Sequence, residues 1–587
     1  MIYKKVKAKN KTTSLGAQNM SQHVVVVGAV ALGPKAACRF KRLEPDSKVT
    51  MIDQSELISY GGCGIPYFVS GDVSDASQLQ STSFHMVRDA KFFQSVKDIN
   101  VLINTRGLSI DRNNKTVRVR NMLDQQEEDL PYDQLVLATG SRPKRLPIPG
   151  ADLKGVFTVS NLNEAMAIKQ GLADGEVEKA VVIGAGAIGL EMAEALADLW
   201  GIETTVIARS DQILSSIVSP NMARMAQCHL EENGISVHLG EKVQKLEGAD
   251  RVEKVITDKG IIDANMVIMA IGVAPNGELA KAAGLEVSAS GAIVVNERME
   301  TSDPHIFAGG DCVAISNLLT GKPDYFPSGS LANRQGRVIG TNLAGGNAKF
   351  EGAVGTFIIK IFEISLAGAG MSLKTAKAEG WDALSVFVSQ FDRAHFFPEK
   401  DLMYMELIVD QKTEKVLGVQ GFGAMTDAVF ARVNAVAAIL KYGPTTADIS
   451  NLELLYAPPF SAAMDIVNAL GNTAENVLRE KIKLIDVDQF AKWWQDRDGS
   501  DAVFLDCRGW GNAKPFAEKY PDDWKSIPQD ELKQRMDEVP RDKPLVLICN
   551  TGVRSYEAQL NLRQEGITNT YNLQGGMATV KKWGFDL

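Results

Sequence analysis

The strongest constraint on the fold is the segment AVVIGAGAIGLEMAEAL, which places Gly184, Gly186 and Gly189 in the spacing G-x-G-x-x-G. The segment begins as an apolar strand and continues as a helix, with Glu191 at the opening of the helix. Glycines in this turn allow a tight bend and a close approach to a pyrophosphate, which the free N–H groups of the helix N-terminus then bind. The sequence therefore predicts a βαβ dinucleotide-binding unit.

The second strand of this unit, TTVIARS, ends in Ala208 and Arg209. A site selective for NADH usually has an acidic residue at this place, where it binds the ribose hydroxyls. Arg209 instead suits a 2′-phosphate. The sequence therefore leaves both NADH and NADPH open as the nicotinamide cofactor.

A similar unit lies near the N-terminus, where HVVVVGAVALGPKAACRF is followed by the strand VTMID. Gly28 allows a tight turn, Gly33 allows close packing of helix on strand, and Asp53 lies 20 residues after Gly33, placed to bind ribose hydroxyls. Val30 replaces the middle glycine, so that this motif alone also fits an ordinary strand–turn–helix.

Two later segments have the form in which FAD-binding chains return to one sheet. The segment YDQLVLATGSRP contains Thr139 and Gly140 in a turn after an apolar strand, and TSDPHIFAGGDC ends a short strand near Asp311. With the two glycine-rich units, these segments resemble the flavoproteins that have two dinucleotide-binding domains. The resemblance implies FAD on the first unit, with Asp311 reaching its ribityl and phosphate region, and NAD(P)H on the second.

Cys63 follows the first unit in the segment SELISYGGCGIPYFVSGD. Ile58 and Phe68 stand where a second cysteine of a C-x4-C pair would lie, so Cys63 has no neighbouring partner. The pattern from Ser59 to Cys63 resembles the single-cysteine branch of these flavoproteins: coenzyme A-disulfide reductases, persulfide reductases, and NADH oxidases or peroxidases. A nearby helix start is expected to lower the pKa of the thiol and make it a nucleophile; the alternative is a buried structural cysteine.

The resemblance also implies a place for coenzyme A. In coenzyme A-dependent relatives, basic residues in these regions hold the ADP phosphates, which assigns Arg39, Arg42, Arg88 and Lys91 to the ligand, together with Ser59. A solvated helix face is the alternative interpretation of the four basic residues.

From about residue 351 the strands FIIKIF, ALSVFVSQF, YMELIVD and KVLGVQGFG precede the helical stretch DAVFARVNAVAAILKYG. This region resembles the dimerisation domain of the same flavoproteins, which implies a homodimer. Tyr456 is placed to approach the active cysteine of the partner, where it would stabilise or protonate a departing thiolate, or else it packs at the interface. Phe396 and Phe397 occupy the place of a second tyrosine in relatives.

The C-terminal region opens with FLDCR and continues through the strand PLVLICN into Cys549-Asn-Thr-Gly-Val-Arg554-Ser. This loop resembles the active loop of rhodanese domains, which implies that Cys549 carries a sulfane sulfur as a persulfide beside Arg554. A loop of this kind also suits a phosphate-sized anion, as in phosphatases. Cys507 and Cys312 are predicted to be core residues.

The composition excludes several classes. A formal net charge of −9 argues against a nucleic-acid partner. The six cysteines have no CxxC or His-rich spacing, which predicts neither a disulfide scaffold nor a metal site. Neither a signal peptide nor an apolar run of membrane-spanning length is found in the sequence, so that a cytoplasmic protein without membrane attachment is expected.

The predicted fold class is therefore α/β, with two Rossmann-like domains, an α+β dimerisation domain and an α/β rhodanese domain. The predicted parts are a flexible tail at residues 1–22, an FAD-binding domain at 23–150 and 285–350, an NAD(P)-binding domain at 151–284, a dimerisation domain at 351–478 and a rhodanese domain at 479–587. This architecture most closely resembles coenzyme A-disulfide reductases fused to a rhodanese domain. The resemblance implies that NAD(P)H, through FAD, reduces sulfur–sulfur bonds of coenzyme A persulfide, polysulfide or coenzyme A disulfide at Cys63, while Cys549 delivers sulfur. The alternatives are an NADH oxidase or peroxidase with a Cys63 sulfenate, and a flavin-based redox sensor or sulfur carrier.

Overall fold

The computed structural model describes residues 21–499 and 502–587. Of the predicted tail, residues 1–20 lie outside the described part of the chain. Four five-stranded sheets, each flanked by helices or smaller sheets, form the body of the protein, and the predicted α/β class is confirmed.

Helices and short strands follow one another through the first half of the chain. Residues 23–143 form β1 (His23–Val27), α1 (Leu32–Leu43), β2 (Lys48–Ile52), α2 (Ile65–Ser70), α3 (Ala76–Gln80), α4 (Ala90–Lys97), β3 (Asn100–Leu102), β4 (Thr105–Asp111), β5 (Thr116–Asn121), β6 (Glu127–Pro131), β7 (Gln134–Leu137) and β8 (Ser141–Pro143). Residues 156–282 form β9 (Val156–Thr158), α5 (Leu162–Ala173), β10 (Lys179–Ile183), α6 (Ala187–Ala197), β11 (Glu203–Ala208), α7 (Pro220–Glu232), β12 (Ser236–Leu239), β13 (Val243–Glu247), β14 (Lys254–Thr257), β15 (Ile261–Asp263), β16 (Met266–Met269), β17 (Val273–Pro275) and α8 (Glu278–Ala282).

Longer strands appear in the second half. Residues 293–478 form β18 (Ile293–Val294), β19 (Ile306–Ala308), β20 (Val313–Ser316), β21 (Pro323–Asp324), α9 (Gly329–Leu343), β22 (Thr356–Ile361), β23 (Ile364–Gly370), α10 (Leu373–Ala378), β24 (Ala383–Phe391), β25 (Leu402–Asp410), β26 (Val416–Ala424), α11 (Asp427–Leu440), α12 (Thr446–Ser450) and α13 (Ile466–Leu478). Residues 484–582 form β27 (Leu484–Ile485), α14 (Val487–Gln495), β28 (Val503–Asp506), α15 (Trp510–Lys519), β29 (Trp524–Ser526), β30 (Leu545–Ile548), α16 (Val553–Gln564), β31 (Thr570–Leu573) and α17 (Gly576–Lys582).

The first sheet is parallel and has the strand order β19-β7-β1-β2-β3. Its central strand β1 is buried from Val24 to Val27, as expected for a parallel strand covered on both faces. Helices α1 and α9 pack together over this sheet. Strand β19 follows the second sheet in the sequence, whereas the other four strands of the first sheet precede it. The second sheet is therefore inserted between strands of the first.

The second sheet repeats this plan with the order β12-β11-β10-β16-β9, again parallel. Strands β1 and β10 thus hold corresponding places, and each runs through a glycine turn into a helix. The carboxyl ends of both central strands are where a parallel sheet of this type binds its ligand.

The third sheet is antiparallel, with the order β22-β23-β26-β25-β24, and contains the strands expected from the sequence. The fourth, β27-β31-β30-β28-β29, is parallel. The two sheets are joined by hydrogen bonds: the Phe387 N–H donates to Gln574 Oε1 at 2.8 Å, and Ser389 Oγ donates to the Gly575 carbonyl at 2.9 Å. The C-terminal domain is therefore docked on β24 of its own subunit.

Within the described residues, every helix is too short or too polar to cross a membrane.

Candidate functional site

In the first glycine turn, backbone segments lie so close together that a side chain would not fit between them. Gly28 has φ +109°, and a Cβ there would lie 2.1 Å from the Ala138 carbonyl oxygen. A Cβ on Gly33 would lie 1.9 Å from the Gly28 carbonyl oxygen, so that helix α1 contacts the turn directly. Val30, in place of the middle glycine, is half-buried at the start of the helix.

The second glycine turn has the same geometry. Gly184 has φ +116°, and a Cβ on Gly189 would lie 1.9 Å from the Gly184 carbonyl oxygen. Gly186, the residue that precedes α6, faces open space: among the described residues, no atom lies within 4 Å of a Cβ built there. This opening in front of a helix N-terminus fits the pyrophosphate of a dinucleotide.

Acidic side chains stand at the carboxyl ends of the first sheet. Asp53, one residue after β2, accepts hydrogen bonds from the backbone N–H groups of Ala29 (2.8 Å) and Ser55 (2.9 Å), which places it beside the first glycine turn. Asp311 accepts from Ser141 Oγ at 3.4 Å, and burial is the main cause that raises its pKa. With Gly28 and Gly33, these carboxylates make a site that fits the ribose and phosphates of FAD.

The turn at Thr139 and Gly140 joins the two dinucleotide sites. Thr139 Oγ1 donates to the Asn276 carbonyl at 2.6 Å, and Asn276 Nδ2 donates back to the Thr139 carbonyl at 2.9 Å. Gly140 has φ +65° and accepts a backbone hydrogen bond from the Asn276 N–H. The segment around Asn276, which follows the second sheet in the sequence, is thus tied to the turn after β7 of the first sheet.

Cys63 lies in a short 3₁₀ turn, Gly62–Gly64, immediately before α2, and its residue is exposed to solvent. The atoms packed around the thiol still desolvate it, and this burial is the first cause that raises its pKa, followed by the charges of Glu191 and Asp311. The backbone N–H of Gly329, at the start of α9, acts in the opposite direction. The pKa of Cys63 is therefore raised, because desolvation and the two carboxylates outweigh the backbone donors. The sequence predicts a lowered pKa, and that prediction is wrong.

The sequence predicts Glu191 at the opening of the helix. In the structure it lies one turn inside α6. There it lines a small cleft with Tyr67, Glu194 and Lys360. Burial, and then the nearby Glu194, raise the pKa of Glu191 to about 7. Lys360 of the third sheet forms an ion pair with Glu194. Glu191 therefore faces the Cys63 side of the site rather than the pyrophosphate end of the turn.

Basic residues converge around Cys38 on α1. Burial raises the pKa of its thiol, while the charges of Lys97, Arg42, Lys35 and Arg88 lower it, so that each of these four cations lies near Cys38. We call them the α1–α4 basic patch. Arg39 lies on the same helix, but its Nε donates to Thr341 Oγ1 of α9 at 3.1 Å, and Lys91 is exposed on α4 outside the patch.

An exposed apolar loop adjoins the patch. Arg88 Nε donates to the Gln80 carbonyl at 3.1 Å and so fixes the end of the loop. Within it, the side chains of Phe84 and Met86 are 88% and 51% exposed. The patch offers cations for phosphates, and the loop offers an aromatic face for a base. Together they fit a nucleoside diphosphate.

Ser59 does not share this surface. It is 2% exposed, its φ is +52°, and its backbone N–H donates to the Ala29 carbonyl at 2.8 Å. In the structure Ser59 shapes the turn between the first glycine unit and Cys63, and its contact with coenzyme A stays a prediction.

Tyr456 belongs to a row of exposed apolar residues before α13. Leu455, Tyr456 and Phe460 are 96%, 52% and 73% exposed, and Met464 is 56% exposed. Such a row on a single subunit is typical of a protein–protein interface. The role of Tyr456 at a partner's cysteine stays a prediction.

Cys549 lies between the end of β30 and the start of α16, and is 1% exposed. Its Sγ accepts hydrogen bonds from the Gly552 N–H (3.0 Å) and from Ser555 Oγ (3.2 Å). Arg554 follows in the first turn of α16. Donors thus surround the sulfur in the manner expected of a persulfide cradle.

Sequence reasoning missed the residues that hold this cradle. Asn572 of β31 competes with the Cys549 sulfur for the single hydroxyl proton of Ser555, since its Oδ1 lies 2.6 Å from Ser555 Oγ, and it donates through Nδ2 to the Gly552 carbonyl at 3.0 Å. Gly576, with φ +59°, lies so close that a Cβ there would be 2.4 Å from the Cys549 carbonyl oxygen. The Gly575-Gly576 pair in the sequence is a usable signal, whereas nothing in the spacing marks Asn572.

The comparisons with known proteins agree with this arrangement. Residues 22–336 match the pyridine nucleotide-disulphide oxidoreductase family, residues 356–467 match the dimerisation domain of that family, and residues 473–582 match the rhodanese-like domain. An NAD(P)H coenzyme A polysulfide/persulfide reductase of Pyrococcus horikoshii is 35% identical over 448 residues, which are 76% of this chain and 97% of the relative.

Two solved structures are informative. The NAD-dependent persulfide reductase from A. fulgidus has a TM-score of 0.89 and 39% identity, over 95% of this chain and 99% of that chain. An engineered water-forming NADPH oxidase, made from the Lactobacillus brevis enzyme and bound to NADPH, has a TM-score of 0.73 and 28% identity, over 78% of this chain and 99% of that chain. The sheets, the glycine turns and the family matches together show that the chain belongs to the pyridine nucleotide-disulphide oxidoreductases and has a rhodanese-like domain at residues 473–582.

Proposed function

We propose that the protein reduces sulfur–sulfur bonds of coenzyme A persulfide, polysulfide or coenzyme A disulfide at Cys63, with Cys549 as the carrier of sulfane sulfur. The observation that carries the proposal is the presence of two differently built cysteine sites in one chain. Cys63 is exposed, with Glu191, Asp311 and the Gly329 N–H acting on its thiol, whereas Cys549 is buried and its sulfur accepts from the Gly552 N–H and Ser555 Oγ. An NADH oxidase accounts for the first site alone.

The cofactors are FAD and NADPH or NADH, which supply two electrons for each bond reduced. Gly28, Gly33 and Asp53 would hold the FAD ribose and phosphates, and the opening at Gly186 would hold those of the nicotinamide cofactor. Glu191, with a pKa of about 7, is protonated or ionised according to small changes around neutral pH, which suits a group that exchanges protons near Cys63.

At Cys63 the thiolate attacks the outer sulfur of coenzyme A persulfide. The sulfur–sulfur bond of the substrate breaks, the coenzyme A thiolate leaves, and Cys63 carries the transferred sulfur as a persulfide. Two electrons and two protons then convert this persulfide to the Cys63 thiol and hydrogen sulfide. With coenzyme A disulfide the same attack releases one coenzyme A thiolate, and reduction of the mixed disulfide releases the second.

The proposal is tested by anaerobic oxidation of NADPH and NADH with coenzyme A persulfide, polysulfide and coenzyme A disulfide, while the sulfide formed is measured. We expect one sulfide for each nicotinamide oxidised with the persulfide. Turnover with oxygen or peroxide alone, without turnover of any sulfur substrate, would instead identify an oxidase or peroxidase.

We expect the α1–α4 basic patch to hold the phosphates of coenzyme A while Phe84 contacts the adenine. Replacing Arg42 and Arg88 with Ala removes two cations, and loss of charge-assisted contacts should raise the KM for coenzyme A-linked substrates about tenfold. The KM for inorganic polysulfide should not change. Lys281→Ala, which removes an exposed cation on α8, is the matched control, and equal effects on both substrates would refute the assignment.

Nicotinamide selectivity is expected to favour NADPH. The engineered NADPH oxidase carries three substitutions at consecutive positions that introduce Ala, Arg and Ser, and this chain has Ala208, Arg209 and Ser210 in that order at the end of β11. Arg209 is exposed there, as binding of a 2′-phosphate requires. Arg209→Ala should raise the KM for NADPH about tenfold, because a charge-assisted contact is lost, and leave that for NADH unchanged. Arg209→Lys, which keeps the charge, should retain most of the preference; an equal loss with both cofactors would contradict this role.

We also propose that the protein acts as a homodimer in the cytoplasm. The exposed row from Leu455 to Met464 supports the dimer, since it would be covered by a second subunit, with Tyr456 directed to the partner's cysteine. The six free cysteines support a reducing compartment.

A further inference from the structure

A second cysteine of the C-terminal domain lies beside Cys549. Strands β28 and β30 are parallel neighbours, with Asp506 paired to Ile548. The ladder continues one residue further, because the Cys507 N–H donates to the Ile548 carbonyl at 2.8 Å. Cys507 and Cys549 therefore stand side by side at the carboxyl ends of adjacent strands.

The spacing of this pair suits a covalent bond. Neighbouring strands lie about 4.8 Å apart, which is within the range of roughly 4.4–6.8 Å between the Cα atoms of disulfide-bonded cysteines. The two side chains also share one face of the sheet. Cys507 packs with Leu505 and Leu547 under α16, and Cys549 Sγ is held by donors at the start of that same helix.

The Cys507 side chain is buried next to the sulfur carrier. Cys507 and Cys549 are each 1% exposed, and the Cys507 thiol lies 3.8 Å from the Leu505 carbonyl oxygen. Burial, and then the neighbouring Cys549 and Asp506, raise the pKa of Cys507, which keeps its proton on the sulfur. Cys507 is thus a protonated thiol whose nearest reactive group is the sulfur carrier.

We propose that Cys507 and Cys549 form a resolving pair, in which Cys507 discharges a persulfide on Cys549. This inference rests on the proposed sulfur-carrying role of Cys549. The proton of the Cys507 thiol passes to the outer sulfur of the ionised Cys549 persulfide, and the resulting Cys507 thiolate attacks Cys549 Sγ. The bond from Sγ to the outer sulfur breaks, and the outer sulfur leaves as hydrosulfide with the proton that came from Cys507. The two cysteines are oxidised to one disulfide while the sulfane sulfur is reduced to sulfide.

The resulting disulfide would close the carrier to further loading. A C-terminal domain that holds sulfane sulfur without an acceptor would thereby release the sulfur as sulfide and take up no more. A dithiol reductant would reduce the disulfide by exchange and restore loading of Cys549. Cys63 takes no part in this reaction, so the discharge proceeds without nicotinamide.

The test uses the full-length protein with its bound cofactors, without NAD(P)H and under anaerobic conditions, treated with inorganic polysulfide, alkylated, digested and analysed by mass spectrometry. We expect a Cys507–Cys549 linked peptide, lighter by two hydrogens than the sum of the free peptides, with release of sulfide that needs no nicotinamide. In Cys507→Ala and in Cys507→Ser the linked peptide should be lost, and the Cys549 peptide should carry one extra sulfur. Two replacements are used so that a packing fault specific to one of them is recognised.

Cys228→Ser is the matched control, since this buried cysteine donates to the Trp583 carbonyl (3.1 Å) and serine can do the same. It should leave the linked peptide unchanged. If the wild type carries persulfide on Cys549 and gives no linked peptide, the resolving pair is refuted while the carrier role stands. If Cys549 takes up no sulfur in any form of the protein, the carrier role itself fails, and the inference falls with it.

Discussion

Cys63→Ser is expected to abolish reduction of every sulfur substrate, with a loss of roughly 10³-fold or more in kcat, as when the nucleophile of a covalent mechanism is removed. Serine is nearly the same size, so that the turn Gly62–Gly64 and the contact to the α9 N-terminus persist. A hydroxyl at this place is a far weaker nucleophile than a thiolate and does not form a persulfide. The measurement is steady-state oxidation of NADPH with coenzyme A persulfide, with sulfide as the second readout.

The same variant should still bind FAD and accept electrons from the nicotinamide cofactor at about the wild-type rate, measured as bleaching of the flavin absorbance in single turnover. This separates loss of the nucleophile from loss of the fold, since the dinucleotide turns at Gly28 and Gly184 are untouched. Cys228→Ser again serves as the control and should keep full turnover. Sulfide release by Cys63→Ser at a rate near that of the wild type would remove Cys63 from the mechanism.

The sequence predicts the scaffold well because its signals are local. The glycine turns at Gly28 and Gly184 have positive φ angles and leave no room for a Cβ. Because only glycine meets both requirements, the residue type itself indicates the turn. The buried runs of β1 and β10 show as unbroken apolar stretches. The loop at Cys549 is likewise a contiguous motif, and its donors lie where the motif requires them.

The features that the sequence does not reveal arise from distant parts of the chain. Gly329 reaches Cys63 only because α9 packs back on α1, more than two hundred residues away in sequence. Burial is the first cause that raises the pKa of Cys63, and the next two are the charges of Glu191, on a helix of the second sheet, and Asp311, at the end of the first sheet. Asn572 supports Cys549 from a neighbouring strand, without any pattern of its own. A contact between residues far apart in the sequence has no fixed spacing. It therefore cannot be predicted from hydrophobic periodicity or from a contiguous motif.

Cys549→Ser is expected to lower sulfide release from inorganic polysulfide about 10- to 100-fold, because loss of the carrier removes an activated nucleophile from one of two linked steps. Reduction of coenzyme A disulfide should stay unchanged, since that substrate reaches Cys63 without sulfur transfer. The serine side chain can accept the same hydrogen bonds from Gly552 and Ser555, which keeps the loop in place.

Ser555→Ala distinguishes a chemical role of the sulfur from a supporting role of the loop. It removes one donor to the Cys549 sulfur but leaves the Gly552 N–H, so a partial loss is expected, about threefold to tenfold for a hydrogen bond worth roughly 1 kcal/mol. If Cys549→Ser matches the wild type on polysulfide, then polysulfide reaches Cys63 directly, and the C-terminal domain has a separate task. If Cys549→Ser loses coenzyme A disulfide reduction as well, the domain is required for the geometry of the reductase itself, through its contacts with β24.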